Sequence, residues 1–314
     1  MATGTTTTAE WDFEVEKYFN RGLWEREKRY DIFNLCAVPT RIPAKNSRTY
    51  TTRRADPLDD TPKVLQEGVT SALEQLSKHD IDIVLQQFGN GVGLSDRVVI
   101  EVQDDTSNEV MDMLSQNMFE MLDKVTRDVL QSGATQIDAI NGSNGNTPTE
   151  ITAIDLDVVV DFLNGNNGKK WTPDIPGVDA YGTEPVERAF WAMTHTDLRK
   201  DIRALASFLP PAKYPQRDAL EPEMGSTDNI RWLGTSAGAI ESADPDIYST
   251  FISAQNAYAI SQIDDVATEM IIKPLGAGDD PWNQRQTMTW KATFGAGVIV
   301  DEWLANFRTT RSDA

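Results

Sequence analysis

Residues 105–133 read "DTSNEVMDMLSQNMFEMLDKVTRDVLQSG", and this stretch decides the fold. Thr106 to Glu109 forms a T-x-x-E capping box and Gly133 stands where a helix stops, so the pattern predicts one helix over 106–132. Val110, Met113, Leu114, Asn117, Met118, Met121, Leu122, Val125, Val129 and Leu130 fall on a single stripe. At ~1.5 Å per residue the helix is roughly 40 Å long, more than most globular helices. The cluster of Met111, Met113, Met118 and Met121 reads as adaptable core packing, and no cofactor is predicted.

On the N-terminal side, "SRTYTTRRA" (47–55) and "KHDIDIVLQQF" (78–88) read as two strands around a polar, Pro-containing excursion. Thr49, Thr51 and Arg53 alternate with Tyr50, Thr52 and Arg54, which leaves no strongly apolar face. Such a hairpin belongs outside a core. Between it and the helix lies "QFGNGVGLSD" (87–96), with glycines at 89, 91 and 93. A dinucleotide loop needs its third glycine where Leu94 stands, and a P-loop needs a Gly-Lys-Ser/Thr ending that is missing. Gly89, Gly91 and Gly93 are therefore predicted to form a hinge where the hairpin meets its domain.

On the C-terminal side, the turn cluster "NGSNGNTP" (141–148) precedes "TEITAIDLDVVVDFL" (149–163), a helix start and buried segment that opens a new domain. Residues 186–209 combine an apolar strand with a helix, and "NIRWLGTSA" (229–237) reads as another strand. In the last stretch Met288, Trp290, Ala292 and Phe294 alternate with Thr289, Lys291 and Thr293, which predicts two antiparallel strands joined near "FGAG" (294–297). The fold class is α+β.

Charge narrows the function. The 314 residues carry 49 acids and 29 bases, a net charge of -20. A surface of that sign repels polyanions, which disfavours a dedicated nucleic-acid binder. Residues 21–54 run the other way, with nine Lys/Arg and a net +6. A basic arm on an acidic body can mate between copies of one chain. The single Cys36 cannot form an intrachain disulfide, no Cys/His cluster fits zinc, and the composition suits a reducing interior. "MATGTTTTAEW" has no signal-peptide pattern and no long apolar run marks a membrane span, so a cytoplasmic product with no membrane partner is expected.

Two motifs imitate enzymes. "GTSAG" (234–238) is a formal G-x-S-x-G with Ser236 at the nucleophile position. The serine hydrolase that it suggests orders its triad Ser, acid, His, whereas His79 and His195 both precede Ser236. The acid pairs Asp59/Asp60, Asp104/Asp105, Asp264/Asp265 and Asp279/Asp280 sit in no D-x-D-x-D-G loop and read as solvated turns, so no metal site is predicted. With no catalytic residues assembled, an assembly protein leads over an enzyme.

Three stretches carry a resemblance: "VPTRIPAKNSRTYTTRRADPLDDTPKVLQEGVT" (38–70), "DIVLQQFGNGVGLSD" (82–96) and "MIIKPLGAGDDPWNQRQTMTWKATFGAGVIVDEWL" (270–304). Together and in this order they resemble the major capsid proteins of tailed double-stranded DNA phages with the Hong Kong 97 type of fold, in the branch of N-four-type podophages. The resemblance implies an N-terminal arm (1–46), an E-loop hairpin (47–92), a P-domain with its spine helix (93–148), an A-domain (149–263) and returning P-domain strands with the C-terminus (264–314). It implies hexamers and pentamers closing into an icosahedral shell around double-stranded DNA, without sequence-specific binding, in a virion assembled in the host cytoplasm. Arg48, Arg53 and Arg54 would then meet the acidic surface of a neighbouring subunit. With no room for a scaffolding domain before the helix, a separate scaffold protein is expected, along with a portal. A cement or decoration protein would reinforce the shell, since no Lys, Asn and Glu trio for covalent cross-linking is matched. The encapsulin type of shell is the alternative within the fold.

Overall fold

The computed structural model describes residues 31–45, 47–56, 58–64, 67–68, 73–101, 106–177, 184–215, 219–264, 268–276 and 280–312. Residues 1–30 of the arm, with the basic residues Arg21, Arg26, Lys28 and Arg29, lie outside them. So does the Thr106 side chain of the capping box.

The predicted helix forms as α3 (Thr106–Gly133), 28 residues long. It lies across β14 (Arg285–Val298), the longest strand among the described residues. The predicted alternation holds: Met288, Trp290, Ala292 and Phe294 are each 1% exposed and pack with Val110, Leu114 and Leu122. Burying each large side chain is worth about 1.5–3 kcal/mol, so this contact alone is a major part of the stability. The polar member of the stripe is used as well, because Asn117 Oδ1 accepts hydrogen bonds from Trp290 Nε1 (3.3 Å) and Asn90 Nδ2 (2.9 Å). Met113, expected on the stripe, is exposed. The helix straddles two cores, so its buried face rotates from Val110 and Leu114 toward Leu122, Asp123, Thr126 and Leu130, and Met113 lies off both.

Strand β14 carries β4 (Gln86–Ser95) on one edge. Its other edge carries β13 (Thr268–Lys273) and then β12 (Tyr258–Ile263). β1 (Val38–Ile42) adds in parallel to β12 and completes the five-stranded sheet. A two-stranded ribbon stands apart, β2 (Thr49–Ala55) against β3 (Lys78–Val84), in agreement with the predicted hairpin. Short α2 (Asp96–Glu101) joins β4 toward the long helix.

The second sheet has eight strands. Its order is β5 (Thr135–Asp138), β15 (Leu304–Thr310), β11 (Ile247–Ser253), β6 (Phe190–His195), β9 (Ile230–Thr235), β8 (Glu223–Thr227) and β7 (Phe208–Leu209), with β10 (Ala239–Glu241) also on β11. Phe190 and Ala192 of β6 face a core shared with α4 (Ala153–Gly165) and with Ile202 of α5 (Arg199–Ala204). Trp191 and Met193 face the opposite core, shared with Leu130 of α3 and with α1 (Ile32–Leu35). Both faces are covered, which is why β6 opens with the unbroken apolar run Phe190, Trp191, Ala192 and Met193.

Two expectations are corrected by this topology. The chain makes no turn at "FGAG": Phe294–Gly297 continue β14 and pair with β12, and the last strand β15 inserts between β5 and β11 of the other sheet. The boundary expected at residue 264 also cuts across the pairing, since β12 before it belongs with β14 and β15 after it belongs with β11. The two sheets are stitched together by exchanged strands.

One buried ion pair pins the eight-stranded sheet. Arg231 Nε and Nη2 donate to Glu223 Oε1 (2.7 Å) and Oε2 (2.8 Å), with both side chains almost wholly buried. Tyr214 Oη and the Leu220 N–H complete the carboxylate, and Trp191 and Tyr214 cover the guanidinium. Removing one partner strands the other charge. Glu223→Ala is expected to cost about 3–5 kcal/mol in urea unfolding of the subunit.

A second buried carboxylate ties α1 to the long helix. Asp123 Oδ1 accepts the Asn34 N–H at 3.0 Å, while Thr126 donates to Asn34 Oδ1 at 2.6 Å. Burial, then the nearby Asp31 charge, push Asp123 up to about 7, against the Phe33 and Asn34 N–H groups and Arg127. With the folded value above the unfolded 3.8, the favourable contribution is full below that value and is lost as pH rises through about 7. Wild type is therefore expected to lose roughly a few kcal/mol between pH 5 and 8 that Asp123→Asn does not lose, read from melting temperatures at both values.

Candidate assembly surface

The ribbon of β2 and β3 is the part of the chain least used by its own core, and its base is fixed. Leu85 N donates to Arg48 O at 2.9 Å, and Ile83 and Leu85 are each 1% exposed. They rest on the two glycines of "FGAG": a Cβ on Gly295 would lie 2.9 Å from Val84 O, and one on Gly297 would lie 2.6 Å from Ile83 Cγ1. Those glycines let the ribbon cross β14.

Beyond the base the ribbon is zipped by its own charges. Arg53 Nε meets Asp80 at 2.9 Å, Thr51 donates to Asp82 at 2.6 Å, and His79 Nε2 lies 3.0 Å from Asp56. Arg54 reaches out of the ribbon to Glu302, at 3.0 Å. Two of the three arginines expected to contact a neighbour are thus paired within the chain. Arg48 is exposed and makes no ion pair among the described residues. The excursion beyond the strands, joined by a Lys63–Glu74 pair, exposes Leu58, Val64, Leu73 and Leu76. No strand or helix periodicity marks these four in the sequence. Trp282, 79% exposed before β14, is a further apolar side chain that sequence reading missed.

The predicted hinge is not where the chain bends. Gly89, Gly91 and Gly93 lie inside β4, paired with Lys291, Thr289 and Thr287, and the change of partner falls at Leu85 between β3 and β4. Their use is close approach. A Cβ on Gly89 would lie 2.8 Å from Trp290 O, and one on Gly91 would lie 2.3 Å from Thr289 Cγ2, whereas one on Gly93 would meet nothing within 4 Å. Gly91→Ala is expected to destabilise the subunit by about 1–3 kcal/mol and Gly93→Ala by much less, measured side by side in denaturant.

The enzyme-like motif is not brought into working geometry. Ser236 is exposed in a turn that leads from β9 into β10, while a nucleophile elbow leads from strand into helix. It lines a recess of about 340 Å³ with His195, Lys124 and Arg127, but His195 Nδ1 accepts the Asp197 N–H at 3.1 Å and Arg127 is held by Asp128 and Ala237 O. Among the described residues no group of His, Cys, Asp and Glu could hold a metal ion. Cys36 is buried, and that burial pushes its thiol up to about 12, which makes it a packing residue. No helix among the described residues is long and apolar enough to cross a membrane.

A subunit that stitches two sheets with one helix and sends a self-paired ribbon beyond its core is a structural protein of the Hong Kong 97 type of fold. The matches to known proteins agree. The family model for phage capsid proteins matches residues 80–309. The capsid of Ralstonia phage GP4 is similar over 99% of both chains, at 11% identity and TM-score 0.69. The capsid of cyanophage P-SCSP1u covers 99% of this chain and 96% of its own at 13% identity and TM-score 0.66. The head of Helicobacter pylori bacteriophage KHP40 covers 99% and 98% at 10% identity and TM-score 0.65. Among curated proteins none matches. The chain belongs to the phage capsid protein family, and it is a major capsid protein.

Proposed function

We propose that many copies of this chain close as hexamers and pentamers into an icosahedral shell that encloses a double-stranded DNA genome, with the ribbon reaching over the neighbouring copy. The observation that carries this is a ribbon braced at its base, satisfied in its own charges and apolar at its far end. A segment that exposes Leu58, Val64, Leu73 and Leu76 away from its own core has its burial partner on another copy. In this reading the ribbon is the E-loop, the α3 and β14 unit is the P-domain, and the body around the eight-stranded sheet is the A-domain. The three stretches quoted above support a place in the N-four-type podophage branch.

The acidic body suits an inner wall that holds DNA without gripping its phosphates. A separate scaffold, a portal and a cement protein complete the assembly, which takes place in the host cytoplasm. Shell contacts of this kind are heterologous and must close, and each can be modest because many engage together.

Electron microscopy of the purified protein is expected to show uniform shells, or rings of five and six, and a monomer under all conditions would overturn the reading. Arg48 is the arginine free to act between copies. Arg48→Glu is expected to lower the yield of shells while the circular dichroism of the subunit stays unchanged; shells at full yield would remove Arg48 from the contact.

A further inference from the structure

Two helices of the eight-stranded sheet carry unpaired charges of opposite sign. On α4 the buried residues Leu156, Val159, Val160 and Leu163 face the core, and the outer stripe is Ile154, Asp157, Val158 and Asp161, all exposed. Asp157 and Asp161 make no ion pair among the described residues. A stripe of two aliphatic and two carboxylate side chains, spaced i, i+3, i+4 and i+7, is one continuous face.

The opposite sign stands on α5. Arg199 and Arg203 are exposed, are spaced i and i+4, and make no ion pair among the described residues. Both line a recess of about 470 Å³. Asp197, the one acid in that lining, is engaged by Tyr248 Oη at 3.3 Å and lies 3.4 Å from His195 Nδ1.

The two helices share one face of the sheet but not one place. α4 packs against β15, next to one edge, and α5 packs against β7, at the other edge. Within one chain the acidic stripe and the arginine pair therefore lie toward opposite ends. That is the arrangement a head-to-tail contact requires, in which each copy offers one edge to the next copy's other edge.

We propose that the α4 stripe of one copy docks on α5 of the next, with Asp157 and Asp161 meeting Arg199 and Arg203. Both pairs repeat at four residues, about 6 Å along their helices, so two carboxylates face two guanidiniums in register. Ile154 and Val158 are covered in the same contact. The occupant is a second copy because the rest of the chain makes copies repel: residues 55–314 sum to -23, and a contact between such bodies needs opposite charges placed where they touch.

This inference rests on the shell reading, and charge reversal tests the two separately. Asp157→Arg with Asp161→Arg, and separately Arg199→Asp with Arg203→Asp, are each expected to lower the assembled fraction about tenfold or more in sedimentation and electron microscopy. All four changes in one chain are expected to restore assembly to within about twofold of wild type. Melting temperatures serve as the folding check, and Asp157→Asn with Asp161→Asn repeats the test should a reversal disturb folding. Assembly of both reversed forms at wild-type levels, or failure of the fourfold change to restore it, would overturn the pairing alone. A wild type that never assembles would overturn the shell reading, and the pairing with it.

Discussion

The rest of the structure depends on α3 lying across β14. β14 pairs with β4, β12 and β13, and its alternate side chains Met288, Trp290, Ala292 and Phe294 are what the helix covers. The helix is longer than this contact, and its second half reaches the other core through Leu130 and holds α1 through Asp123. One element therefore fixes β4, into which the ribbon's strand β3 leads, the entry of the chain at α1 and the position of the eight-stranded sheet. A rigid bar of this kind lets a force applied at one end of the subunit be felt at the other, which is what a closed shell asks of its parts.

How much of this could be read from the sequence follows the range of the interaction. Periodicity is local, so α3, the ribbon and the apolar face of β14 are all legible from their own residues. What a residue meets across the fold is not. Gly91 and Gly297 look alike on the page, as small residues near a change of structure, yet one admits Thr289 and the other admits Ile83. A glycine marks close approach and a glycine marks a bend with the same letter. β15 is the plainest case. Nothing in "LANFRTT" says that it leaves the sheet of β14 and enters another, because strand exchange is set by pairing over long separations. The pair of Glu223 and Arg231 was hidden for a different reason: sequence treats both as surface charges, and only burial shows that they are each other's solvent.

The assembly surface was legible in kind and not in detail. A run of basic residues on an acidic chain pointed to contacts between copies, and Arg48, Arg53 and Arg54 were the named candidates. Arg53 and Arg54 instead close pairs with Asp80 and Glu302, which stiffen the ribbon and orient it on the body. Such exposed pairs add little stability each. Arg54 with Glu302 ties the ribbon to the body, and a tied ribbon has less conformational entropy to lose when its tip is buried.

That division of labour bears on how a strongly acidic protein can polymerise at all. If its cations were all spent within the chain, every contact between copies would be repulsive, and if none were spent, the subunit would stick before it was shaped. Cations that make ion pairs inside the described residues include Arg41, Arg53, Arg54, Lys63, Arg127, Arg188, Lys213, Arg231, Lys291 and Arg308. With 29 bases against 49 acids in the whole chain, the places where a docking neighbour's carboxylates are welcome are outnumbered by those that repel them. Weak, sparse and directional attraction over a repulsive background favours closed assemblies, because a misplaced copy meets like charge and leaves, while a correctly placed one is held by several modest contacts at once.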